Sequence, residues 1–294
     1  MSRAALANFS VQWFDFSSRY YTFTTLLKYC DTAQGFIFEN GRSSSNVLNM
    51  LHKLWDNQGV MRSTKAKLLL PHDRYTDFER CLIKPYLEAV GRTSWMVGFR
   101  ISDAATNAEL AVVETVMVAV DEETKSKSIE IPDRDEIVKI IEENNFEPLN
   151  LGVKQTVFQD QPNENVFMHK TIVNALDCDK LGHLNNSIYA TIAEEVRLLA
   201  LKNGGYNNVS SELYTKKMYL DDEYLGYLEP SIINVSYIGQ AHPFDEMNVF
   251  SWCIESSDNC EFCFDFVIDS EVITKVSLIV ESNYHHTQRH TSSL

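Results

Sequence analysis

One order of elements occurs twice along these 294 residues: a short strand, a helix, then several long strands. In the first half the spacing predicts a helix over Thr22 to Glu39, with Phe23, Leu26, Leu27, Cys30 and Ile37 on one face. Asn40-Gly41 offers its stop, with glycine taking the left-handed cap. Strands are expected at Ala66–Pro71 and Arg80–Val90. After the turn Gly91–Ser94, the residues Trp95, Val97, Phe99 and Ile101 alternate, and a valine-rich run follows at Leu110–Val120. The second half repeats the pattern with a strand at Phe167–Leu176. Its helix, Ile188–Leu201, has Ile188, Ile192, Val196 and Leu199 on one face and a stop at Asn203-Gly204-Gly205. Four strands are then expected, at Ser231–Ile238, Asn248–Glu255, Phe262–Ile268 and Val272–Val280. Phe262, Phe264 and Phe266 share one strand face, as do Val272, Val276, Leu278 and Val280. Helices followed by long antiparallel strands make an α+β class, because one face of such a sheet needs a helix to bury it. The expected division is a first domain over 1–143, a linker over 144–165, a second domain over 166–284 and a flexible tail over 285–294. The stretch Ile131–Gln161 joins the two halves, with a short helix at Ile137–Glu143.

Composition removes several classes of function. The formal net charge is −15, whereas binding a phosphate backbone needs clustered Lys and Arg, so no nucleic-acid partner is expected. No apolar run reaches the roughly 18–20 residues that span a bilayer, and Met1–Asn8 lacks the apolar stretch of a secretory signal. A cytoplasmic protein with no membrane partner is the expectation, with organellar targeting left open. The six cysteines show no disulfide spacing and read as reduced thiols. Cys260-Glu261-Phe262-Cys263 is formally a CxxC, but it lies at the start of an alternating strand, so its two sulfurs should face opposite sides. Lys216-Lys217 reads as a solvated pair or a phosphate contact, and His285, His286 and His290 as part of the solvated tail. No metal site and no cofactor are expected.

Chemistry concentrates in Asp177-Cys178-Asp179-Lys180-Leu181-Gly182-His183-Leu184-Asn185-Asn186-Ser187-Ile188-Tyr189, with Glu194 and Arg197 beyond it. The pattern is a strand end, a glycine turn and a helix start that Asn185 or Asn186 can cap. The first helical turn offers free N–H groups and the positive end of the dipole, where negative charge on a carbonyl oxygen can be held. Asp179 and His183 stand just before it, so a carboxylate and an imidazole adjoin an oxyanion site. The bland alternative makes Asp179 a turn residue bonded to nearby backbone. Glu194 and Arg197, three apart on the helix, fit a surface ion pair as well as a functional pair.

This stretch resembles the hot-dog thioesterases, in particular the 4-hydroxybenzoyl-CoA thioesterase-like and acyl-carrier-protein thioesterase groups. The resemblance is strong over about twenty residues and extends loosely, through the order of elements, to both halves. It implies two tandem hot-dog domains, each a long antiparallel sheet wrapped around a central helix, together forming a pseudo-dimer. It places the catalytic carboxylate at Asp179, as general base or nucleophile, and the backbone donor to the thioester oxygen at Asn186. The assisting histidine is His183, and Gly182 is the turn glycine. Asp177, Asn185 and Tyr189 shape the loop or pocket floor, and Glu194 and Gln240 join the substrate-binding set. Two departures stand out: Leu181 where the carrier-protein group has Asn, and Gln240-Ala241 where it has a Glu-Cys pair.

The first half lacks the motif: Phe16, Tyr20 and Asp31 stand where Asp179, His183 and Glu194 stand in the second. One site of two is therefore expected, with Asp31 and Gln34 on its opposite wall. The substrate implied is a small acyl thioester, linked to CoA or to phosphopantetheine, with the protein a monomeric pseudo-dimer or a higher homo-oligomer. Three functions compete: hydrolysis of that thioester, binding of an acyl or other apolar ligand without catalysis, and hydratase or dehydratase chemistry, for which the proline-rich His motif is missing.

Overall fold

The computed structural model describes residues 9–12, 22–39, 59–69, 80–121, 127–131, 134–143, 158–162, 164–179, 182–206, 230–256 and 259–281. They fall into two compact units. The first holds strands β1 (Phe9–Gln12), β2 (Gly59–Leu68), β3 (Arg80–Val90), β4 (Ser94–Asp103) and β5 (Glu109–Ala119). Helix α1 (Thr22–Glu39) belongs to it from Thr25 onward, and helix α2 (Arg134–Glu143) rests on β3. Its strands lie in the order β1-β3-β4-β5-β2, every pairing antiparallel.

The alternation expected of β4 is present: Trp95, Val97, Phe99 and Ile101 are all buried. Full burial of side chains this size contributes about 1.5–3 kcal/mol each. Phe23, Leu26, Leu27 and Cys30 are buried along α1, as their spacing requires, and the helix covers the expected residues. The side chain of Ile37 and the stop at Asn40-Gly41 lie outside the described residues. β2 is ten residues long, not the short strand expected at Ala66–Pro71. Its polar members hid it: Thr64, Ala66 and Leu68 turn inward while Ser63, Lys65 and Lys67 alternate with them.

The second unit repeats the plan with β6 (Phe167–Ile172), α3 (Asn186–Lys202), β7 (Ile232–Tyr237), β8 (Glu246–Glu255), β9 (Asn259–Ile268) and β10 (Glu271–Glu281). Its strand order is β7-β10-β9-β8-β6, again antiparallel throughout. Helix α3 rests on β8 and β10. Of the aliphatic stripe expected, Ile188 and Val196 are buried, Ile192 is half-buried and Leu199 is exposed, and the small residues Ser187, Ala190, Ala193 and Ala200 are buried with them. Phe262, Phe264 and Phe266 are buried beneath it as expected. A bulge between Val272 and Thr274 shifts the register of β10, so Thr274 is buried above Val276 and Leu278, and Val272 is not.

Candidate active site

β6 ends at Ile172, four residues short of the strand end expected at Leu176. Asn174 breaks it: its side chain accepts the Leu176 N–H at 3.0 Å and caps a single 3-10 turn, Ala175–Asp177. The chain then doubles back. Cys178 and Leu184 form an antiparallel bridge, and the Asp179 N–H donates to the His183 carbonyl at 2.8 Å. Gly182 closes the turn at φ +77°, a conformation that favours glycine, and its N–H donates to the Asp179 carbonyl at 3.0 Å. The loop delivers Asn185 as the N-cap of α3. The Asn185 side-chain oxygen accepts from the Ser187 N–H at 3.0 Å and from the Ser187 hydroxyl at 2.8 Å. Among the described residues nothing accepts the N–H of Asn186, the first residue of the helix, so this donor stands at the positive end of the dipole.

Asp179 is exposed, and its Oδ1 accepts the His183 N–H at 3.1 Å. The carboxylate is thereby held on the backbone of its own loop, three residues before α3 begins. Asp177 holds the loop through its carbonyl, which accepts the Asn185 N–H at 2.9 Å. Cys178, between the two aspartates, is an unsuitable nucleophile. Burial first, then the negative charges of Asp179, Asp177 and Asp245, raise its thiol above the ordinary value and keep it protonated.

A second segment completes the arrangement. The Leu184 N–H donates to the Ala241 carbonyl at 2.8 Å, which ties the loop to the turn after β7. That turn carries His242, whose ring meets the His183 ring edge to face at 5.3 Å. Asp245 accepts the His242 N–H at 2.7 Å and lies 3.6 Å from its Nδ1. Residues 173 and 244–245 exchange backbone bonds, Val173 N–H to Asp245 and Phe244 N–H to Val173. His242 is itself exposed, with 57% of its side chain open to solvent. Leu176 and Phe244, 90% and 75% exposed, stand beside the two segments as large apolar groups in water. Phe244 holds this position at φ +73°.

The remaining expected residues divide. Tyr189 is buried, stacked edge-on with Phe266 and Tyr237 at 5.3 and 5.9 Å. Burial pushes its phenol up to about 12, offset by hydrogen bonds with Thr274 and the Ala241 backbone, so it packs helix against sheet and stays neutral. Glu194 and Arg197 are not a surface pair: they are 8% and 2% exposed, with Arg197 Nε 2.6 Å from Glu194 Oε2. The guanidinium also lies over the Phe262 ring at 5.3 Å. Gln240 is exposed in the turn beside Ala241. Asp31 lies on α1 of the first unit, half-buried, its carboxyl raised by burial to about 7. The Gln34 side chain, Phe16, Tyr20, Lys216, Lys217 and the C-terminal histidines lie outside the described residues. Asn234, one of two glycosylation-type sequons, is buried on β7. Among the described residues no three His, Cys, Asp or Glu side chains gather as metal ligands, and no helix is long and apolar enough to cross a membrane.

No family model and no curated protein matches the chain. Solved structures do. The 12:0-ACP thioesterase from Umbellularia californica superposes with a TM-score of 0.65 at 12% identity, covering 95% of this chain and 98% of that one. An acyl-ACP thioesterase from Bacteroides thetaiotaomicron VPI-5482 gives 0.61 at 17% identity, covering 95% and 99%. A Lactobacillus plantarum protein that carries the name oleoyl thioesterase gives 0.64 at 13% identity, covering 94% and 95%. Likeness at such identities is a likeness of fold, and the fold is the tandem hot-dog fold that the motif had implied.

Proposed function

We propose that this chain hydrolyses an acyl thioester to the free acid and the thiol, with Asp179 as the essential carboxylate. The observation that supports the reading is the exposed Asp179 carboxylate on the loop that leads through His183 into the N-terminus of α3. Water added to the thioester carbonyl gives up its proton to Asp179. The negative charge that develops on the carbonyl oxygen is met by the Asn186 N–H, and as the carbonyl re-forms the sulfur leaves, taking the proton from Asp179 to become the thiol. His183, steadied by the edge of the His242 ring, orients the reacting groups. Leu176 and Phe244 offer an apolar lip to the acyl or pantetheine chain. The names borne by the structural neighbours support this class of substrate. The reduced cysteines fit a reducing compartment such as the cytosol.

A second reading has one observation in its favour. The Asp179 carboxylate accepts a backbone N–H of its own loop, as a purely structural turn residue would, and Gln240-Ala241 offers neither a base nor a thiol. On that reading the chain binds an acyl group without cleaving it. Thiol release from a panel of acyl-CoA and acyl-phosphopantetheine thioesters, acetyl to palmitoyl with one aromatic acyl group, separates the two. Hydrolysis of some members, reduced about 10²–10⁴-fold by Asp179→Asn, is the expected result for loss of a general base. No turnover of any member, by wild type or a folded variant, leaves the binding reading.

A further inference from the structure

Cys253 and Cys260 lie on the adjacent strands β8 and β9, close to the turn that joins them. The register sets Cys253 opposite Phe262 and Cys260 opposite Glu255, so the two cysteines are diagonal neighbours on one face of the ladder. A flat ladder holds diagonal pairs apart, whereas the right-handed twist of antiparallel strands shortens one of the two diagonals. Here the sulfurs stand 2.6 Å apart. Both residues are buried, 9% and 3% exposed, and neither takes part in the thioester site. The pair is not the one the CxxC spacing suggests. Cys263 sits opposite Trp252 on the other face of the sheet, where it cannot meet Cys260.

The surroundings define the chemistry. The contact with Cys260 and burial hold the Cys253 thiol well above its ordinary value, which makes Cys253 a poor first nucleophile. Burial also shuts out bulky thiol reagents, which leaves a small neutral oxidant as the class that can reach the sulfurs. We propose that Cys253 and Cys260 form a dithiol–disulfide site oxidised by hydroperoxide. The Cys260 sulfur takes one oxygen from the peroxide, giving a sulfenic acid and one water. The Cys253 sulfur then attacks the sulfenic sulfur, the S–S bond forms, and the Cys253 proton leaves with the hydroxyl as a second water. One peroxide is reduced and two thiols are oxidised, with no other reactant. The resulting clasp joins β8 to β9 at the C-terminal end of α3. There Tyr206 stacks on Phe262 at 5.2 Å and shares a hydrogen bond of 2.6 Å with Ser251. Asp179 stands at the other end of the 17-residue helix, a separation of about 25 Å along its axis.

The test treats the folded protein with hydrogen peroxide, quenches it with a thiol-alkylating reagent and only then denatures it. Cleavage after Glu255 separates the two cysteines for non-reducing mass spectrometry. The expected product is one cross-linked pair holding Cys253 and Cys260, about 2 Da lighter than the two reduced peptides together and reversed by dithiothreitol. The same cross-link is expected in Cys263→Ser and none in Cys253→Ser. The wild-type map needs no variant, so a folding failure in either substitution does not obscure it. Alkylation of all six cysteines after peroxide, a cross-link to Cys263 instead, or sulfinic acid at Cys260 without a cross-link would each overturn the proposal.

Discussion

Glu194→Ala should unfold the second unit more readily than any other single truncation on α3. The side chains of Glu194 and Arg197 are 10% and 3% exposed, and the Nε–Oε2 distance is 2.6 Å. Deleting the carboxylate leaves a guanidinium in a site built for a pair. Removing one partner of a buried ion pair costs about 3–5 kcal/mol, because the other charge loses the group that offsets its desolvation. The Phe262 ring still faces the cation, but that contact exists in the parent too and offsets nothing. Glu194→Gln keeps an acceptor at the same distance and should cost less, about 2 kcal/mol. Replacing both residues, Glu194→Leu with Arg197→Met, removes the charges together and should return stability to within about 1 kcal/mol of the parent. Urea unfolding followed by the fluorescence of the four tryptophans reads all four proteins. A loss under about 1 kcal/mol for Glu194→Ala, or a double variant as unstable as the single, would refute the claim that this pair is desolvated.

Three further expectations follow from single residues. The Asp31 carboxyl is raised by burial from 3.8 to about 7, so between those pH values the folded state holds a proton that the unfolded state has released. Its stabilising effect is complete below about pH 4 and lost as pH rises to about 7. The full shift is worth about 4 kcal/mol, or about 2 after solvent screening at a half-buried group. Asp31→Asn should flatten this part of the stability profile, and an unchanged slope would dismiss the assignment. Asn185→Ala removes the N-cap of α3 and a partner of the buried Ser187 hydroxyl, at a cost of about 2 kcal/mol in denaturant unfolding. Asn185→Asp should preserve stability because a carboxylate accepts the same bonds and suits the helix dipole, and an equal loss in both variants would contradict capping. A Cβ at Gly59 would lie 2.6 Å from the buried Trp95 ring, so Gly59→Ala should cost about 1–3 kcal/mol, with a changed near-ultraviolet tryptophan signal as its signature.

Local chemistry made much of this molecule legible in its sequence. Helical spacing located α1, and Asn203-Gly204 located the end of α3, where Asn203 is the C-cap and Gly204 takes φ +69°. The turn from Asp179 to Asn186 was readable because each of its devices is local: a glycine at positive φ, an aspartate bonded four residues ahead, and an asparagine cap. Contacts between segments distant in the chain left no such trace. His183 meets His242 only because the Leu184 N–H finds the Ala241 carbonyl, 57 positions along the chain. Cys260 meets Cys253 and not Cys263 because strand register, not spacing, decides which sulfurs share a face. Three-residue spacing showed that Glu194 and Arg197 could pair but not whether water reached them, and burial of that pair depended on the sheet beneath the helix. Periodicity and capping are properties of a few consecutive residues, whereas register, burial and cross-segment contact arise only when separate strands are packed together.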